Sequence, residues 1–386
     1  MTLADMNITV IGAGIGGLAV ALALAQRGAR VRVLEQAAEI KEVGAGLQIS
    51  PNGACVLQAL GLGDGLRRAG VQAEAVRLVD YRGGSVTRLD LGRLSKREYY
   101  FVHRADMIDL LVEAVREAGV EIVLKAGVEA VDCDRGTLRM ADGSELQSDL
   151  VIGADGLHSA ARCAICGSVA PFFTGQTAWR AIVPNASGRG AEARVHMGPG
   201  RHVVSYPLRG GNQLNLVAVQ ERDTWVEEGW SHEDAPANLR AAFTDFGDEV
   251  QDMLAGLDRV HLWGLFRHPV AKDWHRGAAV LLGDAAHPML PFLAQGANMA
   301  LEDAWVLADA LSLPGRLETR LAAYQTRRRD RVVRVVDAAQ GNAWKYHLSF
   351  PPVRWAAHQA IRVGGALMPD RMMRQFSWLY EHDVTV

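Results

Sequence analysis

At 386 residues the chain exceeds one ordinary hydrophobic core, so two domains or one elaborated domain are expected. Its residues are 49% hydrophobic and 22% charged with a net charge of -3, a globular composition that gives no footing for a nucleic acid or an anionic membrane surface. Four cysteines, Cys55, Cys133, Cys163 and Cys166, are too few for a disulfide scaffold. The Cys163/Cys166 pair lacks a second pair or a histidine cluster, so the thiols are read as incidental, no metal is expected, and the cytoplasm is the expected compartment.

Residues 7–26 carry no charged side chain, and about 20 such residues are long enough to span a bilayer. Gly12, Gly14, Gly16 and Gly17 break the run after a β-branched stretch, and Asp5 stands where a signal peptide carries positive charge. The segment is therefore read as a buried strand near Ile8–Ile11, a turn, a helix from about Ile15 to Arg27 and a second strand near Val31–Leu34. Gly12, Gly14 and Gly17 form GxGxxG at the strand-to-helix turn. The first allows the tight turn, the second lets a pyrophosphate approach the backbone, and the third lets helix and strand pack closely. Glu35, 18 residues after Gly17, ends the second strand where a ribose diol would meet it. This predicts dinucleotide binding without separating FAD from NAD.

In LQSDLVIGADGLHSAAR a buried strand ends in Asp155 and Gly156, followed by Ser159 and Arg162. Taken alone it is a strand, a turn and a capped helix. Between about Phe172 and Leu265 the pattern changes to short alternating strands, TAWRAIVP, ARVHMG, RHVVSYPL and LNLVAVQ, which predicts a mostly antiparallel sheet inserted into the nucleotide domain. His202, Val204 and Tyr206 share one face of RHVVSYPL, with His202 and Tyr206 roughly 13 Å apart at Cα, able to bracket a ring but not to touch. By themselves they read as structural residues.

GAAVLLGDAAHPMLPFLAQGANMALED predicts a strand over Ala278–Leu282, the carboxylate of Asp284 at its end, a loop braced by Pro288 and Pro291, and a helix from near Gln295 to about Leu311. The helix start at Gly296, Ala297 and Asn298 offers free backbone N–H groups and positive potential. Beyond Arg327 the pattern is helical. Arg327, Arg328, Arg329, Arg331 and Arg334 alternate with valines and read as a solvated helix face.

The GxGxxG, DG and GD motifs in this order resemble the single-component FAD-dependent aromatic hydroxylases of the para-hydroxybenzoate hydroxylase fold, essentially from Ile8 to the WLYEHDVTV tail. The resemblance implies an α/β fold: a Rossmann-like FAD-binding domain (1–171 and 266–326), an inserted antiparallel substrate sheet (172–265, with a contribution from about 72–100) and a C-terminal helical segment (327–386) that can contribute to a homodimer surface. It implies that GxGxxG holds the FAD pyrophosphate, that Asp155, Gly156 and Arg162 serve FAD and NAD(P)H, that Asp284 holds ribityl and flavin, and that Arg104 in VHRAD lies beside FAD. NAD(P)H would dock transiently, since no second GxGxxG unit is present.

The His-x-x-x-Tyr pair is similar to the pocket pair of 3-hydroxybenzoate 6-hydroxylases and 6-hydroxynicotinate 3-monooxygenases. That likeness implies His202 as base or proton relay, Tyr206 as partner of the phenolic oxygen and Gln295 as a polar pocket contact, for hydroxylation with NAD(P)H and O2 through a flavin C4a-hydroperoxide. His287 fits loop structure as well as catalysis. Where 6-hydroxynicotinate enzymes carry a histidine and a cysteine, this chain has Gln48 and Asn298, a difference that leans toward salicylate-like or 3-hydroxybenzoate-like phenols. Arg82, Arg180 and Arg209 are candidates for a substrate carboxylate. The alternatives are a larger natural product, a ubiquinone-type ring or 6-hydroxynicotinate as substrate, and a non-hydroxylating flavin-binding redox module.

Overall fold

The computed structural model describes residues 2–40, 45–94, 97–222 and 232–386, with side chains at all of these except 342–344. The first sheet is six-stranded, in the order His275–Arg276, Ala279–Leu281, Leu150–Gly153, Asn7–Ile11, Arg30–Leu34 and Glu121–Val123. All neighbours run parallel except the short edge strand His275–Arg276. The uncharged run at the start is the strand Asn7–Ile11 and the helix Ile15–Ala25. That helix is apolar on every side because it is covered on every side, by the sheet and by the helices Gly296–Ser312 and Arg104–Glu117. Leu18, Leu22 and Leu24 are all buried there, at roughly 2 kcal/mol each. Among the described residues no helix is long and apolar enough to cross a membrane.

The second sheet is eight-stranded: Glu233–Asp234, Val260–Arg267, Phe172–Pro184, Gln213–Glu221, Arg201–Leu208, Glu192–Gly198, Ala75–Asp80 and Ser85–Asp90. Its pairs are antiparallel except where Glu192–Gly198 meets Ala75–Asp80, the point at which an earlier part of the chain joins. The side-chain period of two divides it into two faces. Trp179, Ala181, Val183, Val203, Leu214, Leu216 and Ala218 pack away from the first sheet, in one core with residues of the helices Pro236–Ala242 and Asp248–Ala255. The opposite face carries His202, Val204 and Tyr206 together with Val217, Val219, Ala178 and Trp263, and it meets Leu290 and Phe292 of the proline-braced loop.

The C-terminal part is helical: Leu317–Tyr346, Pro351–Leu367, Pro369–Arg374 and Ser377–Tyr380. Leu317–Tyr346 is one continuous helix of 30 residues, so the expected boundary at 326/327 falls inside a single element. The arginine-rich stretch lies on it; Arg327 and Arg334 are exposed as expected of a solvated face, but that expectation is corrected for Arg328 and Arg331. Arg328 is fully buried, and Arg331 reaches the same buried carboxylate, Glu302.

Candidate active site

Four motifs meet at one edge of the first sheet. The neighbouring strands Arg30–Leu34, Asn7–Ile11, Leu150–Gly153 and Ala279–Leu281 run parallel, so their carboxyl ends carry Glu35, the glycine turn, Asp155 and Asp284 side by side. In open α/β sheets ligands bind along this edge.

The three glycines behave as their spacing predicts. Gly12 has φ +99°, a left-handed conformation that a side chain would strain. A Cβ on Gly17 would stand 2.0 Å from the carbonyl oxygen of Gly12, so helix and turn can pack only over a bare Cα. A Cβ on Gly14 would meet no atom within 4 Å, so this position faces open space rather than protein. The helix that follows has no side-chain cap, which leaves its first amides for a ligand. Glu35 accepts from Ala13 N (2.8 Å) and Ala37 N (2.9 Å), which fixes its carboxylate against the turn.

Asp155 accepts from Ser159 Oγ (2.5 Å) and Ala161 N (3.3 Å); burial pushes its pKa up and these hydrogen bonds oppose the rise. Gly156 follows with φ +71°. Arg162 is held by backbone carbonyls. Its guanidinium donates to the carbonyls of Ala285 and Ala286 (2.9 and 3.1 Å) and of Pro269 (2.6 Å), tying the helix after the DG motif to the loop after the GD motif.

Asp284 reaches solvent although protein surrounds it, as a residue on the floor of a cleft does. The surrounding mass raises its carboxyl pKa, while His287, Arg104 and His268 pull it down. Arg104, the first residue of the helix Arg104–Glu117, thus lies close enough for its charge to act on the GD carboxylate. The helix Gly296–Ser312 also starts without a side-chain cap, and Gly296, Ala297 and Asn298 form its first turn. Two uncapped helix starts, an open Gly14 and a carboxylate floor suit a ligand with two phosphates and an electron-rich ring edge.

Several of the expected site side chains are engaged in hydrogen bonds around the loop that carries Asp284. The Asn298 amide donates to Gln48 O (2.9 Å) and Ala294 O (3.0 Å) and accepts from Ser50 N (3.0 Å), and it is fully buried. Gln295 donates to Ser50 Oγ (3.0 Å) and accepts from Asn52 Nδ2 (3.1 Å). His287 Nε2 bonds Asp303 Oδ2 at 2.5 Å, and its ring lies 5.3 Å from that of Trp274. Asp303 also accepts from Gly283 N (3.0 Å) and from Arg328 Nε (2.7 Å). Arg328 continues to Glu302 (2.5 Å), which Arg331 and Asn52 also hold. His287, Asp303, Arg328 and Glu302 are all buried, so the loop carrying Asp284 rests on a buried lattice of charges. Pro288 and Pro291 lie on the same loop, and Pro291 opens the short turn Pro291–Leu293.

Across the loop stands the inner face of the second sheet. His202 is buried, and its ring centroid lies 5.9 Å from Phe292, 5.3 Å from Tyr346 and 4.9 Å from His347. Burial and neighbouring His347 hold its pKa well below the usual value, so it is a neutral imidazole at pH 7. Tyr206 is buried with its ring 5.0 Å from Phe101, and burial lifts its hydroxyl far out of the titratable range. Gln48 lies nearby and accepts from the Tyr99 hydroxyl at 2.7 Å.

The structure also separates the three arginines. Arg209 is engaged by both oxygens of Asp106 and half-exposed. Arg82 is stacked 5.2 Å over Tyr81, whose ring belongs to the other face. Arg180 lies on the inner face beside Val217, 4.2 Å over the Trp263 ring, and its charge acts on Tyr206. His347, Glu221 and the Arg328 lattice were not foreseen. His347 stands 145 positions beyond His202 and gives no local signal, whereas two adjacent acids, Glu302 and Asp303, in an apolar helix were a legible sign of buried cations.

Comparison with known proteins gives the family. A family model described as FAD binding domain matches residues 5–339. The chain is 38% identical over 387 residues to the 3-amino-4-hydroxybenzoate 2-monooxygenase of Streptomyces cremeus, covering 97% of this chain and 95% of that one. It is 33% identical over 392 residues to 3-hydroxybenzoate 6-hydroxylase 1 of Aquipseudomonas alcaligenes, covering 97% of each. Among solved structures it is similar to Klebsiella pneumoniae HpxO complexed with FAD and uric acid, with a TM-score of 0.86 and 28% identity over 97% of both chains. The chain belongs to the FAD binding domain family, among its aromatic-ring monooxygenases.

Proposed function

We propose that this chain is an FAD-dependent monooxygenase that hydroxylates a small hydroxybenzoate, with or without an amino substituent, using NAD(P)H and O2. The observation that carries the reading is the His202 ring facing Phe292 of the loop after Asp284, with Tyr206 on the same strand face. Relatives named for 3-amino-4-hydroxybenzoate and 3-hydroxybenzoate support the substrate class.

FAD, when bound and reduced by NAD(P)H, supplies the oxidant made from O2. The glycine turn and the start of the helix Ile15–Ala25 hold its pyrophosphate, Glu35 meets the adenosine ribose, and Asp155, Asp284, Arg104 and the first turn of Gly296–Ser312 hold the rest. His202 Nε2 takes the proton of the substrate hydroxyl, making the ring electron-rich before oxygen transfer. Tyr206, fixed as a neutral hydroxyl, hydrogen-bonds the same oxygen. Arg180 pairs with the ring carboxylate. Leu290, Phe292, Trp263, Val217 and Val219 keep water from the reacting ring. Gln295 and His287 act as positioning residues, the first through Ser50 and Asn52, the second through Asp303.

The test is His202→Asn beside Tyr206→Phe. Loss of the base should lower hydroxylation by about 100-fold or more at neutral pH with FAD still bound, and Tyr206→Phe should cost less. Unchanged turnover by His202→Asn would refute the assignment.

A further inference from the structure

A general base buried as deeply as His202 has to pass its proton on, because the charged imidazolium is disfavoured where it forms. The structure provides somewhere for it to go. His202 Nδ1 lies 2.7 Å from His347 Nε2, and His347 Nδ1 lies 2.8 Å from Glu221 Oε1. Exposure rises at the end of this line, from 2% at His202 and 4% at His347 to 51% for the Glu221 side chain. The three residues come from two neighbouring strands and the turn just after the long helix Leu317–Tyr346, and the hydrogen bond from Gly200 N to His347 O (3.2 Å) helps hold that turn in place.

The protonation pattern follows from the acid end. An ionised Glu221 only accepts, so His347 carries its hydrogen on Nδ1 and offers the lone pair of Nε2. His202 must then carry its hydrogen on Nδ1. Its lone pair falls on Nε2, which makes no hydrogen bond among the described residues. Each ring is set in the one tautomer that aims a basic nitrogen inward and a proton outward.

We infer that His202, His347 and Glu221 form a proton relay that carries the substrate's hydroxyl proton to solvent. The inference rests on the proposed function for the identity of the donor. When the hydroxyl loses its proton, an O–H bond breaks and an N–H bond forms at His202 Nε2. The His202 Nδ1 proton moves to His347 Nε2, and the His347 Nδ1 proton moves to Glu221, which exchanges with water. Run in reverse, the same transfers reprotonate the product and restore both tautomers, so no net charge stays buried. The titratable groups facing the line are few: Glu221 acts on His347, His347 acts on His202, and the Tyr346 ring packs beside His202. His347 and Glu221 do not touch the substrate, so they are positioning and relay residues rather than catalytic ones.

The experiment uses the full-length FAD-loaded protein in weak buffer, mixed rapidly with 3-hydroxybenzoate while a pH indicator reports proton release and the ligand's ultraviolet band reports phenolate. Glu221→Gln still accepts from His347 but cannot take a proton, so it should retain FAD and ligand while proton release slows by about tenfold or more. Glu221→Ala should be rescued by added imidazole buffer, an effect that loss of a merely structural contact would not show. Independently of any ligand, nitrogen-15 NMR of histidine-labelled protein should find His202 and His347 both protonated on Nδ1. Wild-type release rates in Glu221→Gln and in Glu221→Ala without buffer, or an Nε2–H tautomer at His347, would overturn the relay. A wild-type protein that binds no phenol and hydroxylates none would overturn the proposed function instead, and the tautomers would still decide the relay.

Discussion

Replacing Arg328 by Met tests whether the buried charge lattice holds up the loop that carries Asp284. Arg328 is fully buried and bonds Asp303 and Glu302, both also fully buried. Methionine has a similar length but leaves the two carboxylates to His287, Arg331 and Asn52 alone. Removing one partner of a buried pair costs about 3–5 kcal/mol. Spread over 386 residues at roughly 2.1 cal/mol/K each, that cost lowers Tm by about 4–6 °C. Arg327, one position away, pairs with Asp309 at the surface, and Arg327→Ala should cost less than about 1 kcal/mol and move Tm by about 1 °C. The lattice also has a pH signature. Asp303 is held at about 2, chiefly by His287 and Arg328 acting against its burial, when the ordinary value is 3.8. A depressed carboxyl stabilises the fold fully above its unfolded pKa, so this contribution is present above about pH 4 and lost as pH falls toward 2. Calorimetry of both variants beside wild type, with FAD release followed by fluorescence, is the assay. Arg328→Met melting within about 1 °C of wild type would refute the reasoning, because the lattice would then be ornamental.

Other outcomes follow from the same geometry. Gly14→Val should leave the Tm of the FAD-free protein nearly unchanged while weakening FAD binding at least 100-fold, because its side chain enters open space and not the core. Gly17→Ala should instead cost about 1–3 kcal/mol of stability, read by calorimetry, because its Cβ meets the Gly12 carbonyl. Arg180→Met should raise KM for a carboxylated phenol by about 10–100-fold and leave an uncarboxylated one unaffected, as expected for loss of a charged hydrogen bond. Buried His196 has its pKa lowered to about 4, so the unfolded chain binds a proton that the folded chain refuses between pH 6.5 and 4. Stability should therefore fall across that window, and a Tm-against-pH series should be flatter for His196→Gln.

What the sequence revealed and what it hid divide along the range of the interactions. The glycine turn, Asp155 and Asp284 are set by short strand-to-helix segments, so each can be placed at the end of its strand before any tertiary contact is known; that the strands lie side by side comes from the sheet. The shared face of His202 and Tyr206 follows from strand periodicity alone. The identity of that face as the inner one depended on which side the helices Pro236–Ala242 and Asp248–Ala255 cover, which no local pattern states. Arg328 was misread because arginines alternating with valines look alike on a solvated helix and on one whose cations reach buried acids 25 and 26 residues back. Gln48 and Asn298 were weighed as substrate-facing, but the Asn298 amide is engaged by the backbone and Gln48 is joined to Tyr99. His347 was beyond reach of pattern, arriving at His202 from the far end of the chain.

The most direct measurement is NADH and NADPH oxidation by the purified FAD-loaded protein with 3-amino-4-hydroxybenzoate, 3-hydroxybenzoate and salicylate, following oxygen, peroxide and ring product together. The account predicts that at least one of these acids stimulates oxidation and returns a hydroxylated ring, with product matching the nicotinamide consumed. Tight FAD binding with no stimulation by any of them, or stimulation that yields only peroxide, would contradict it.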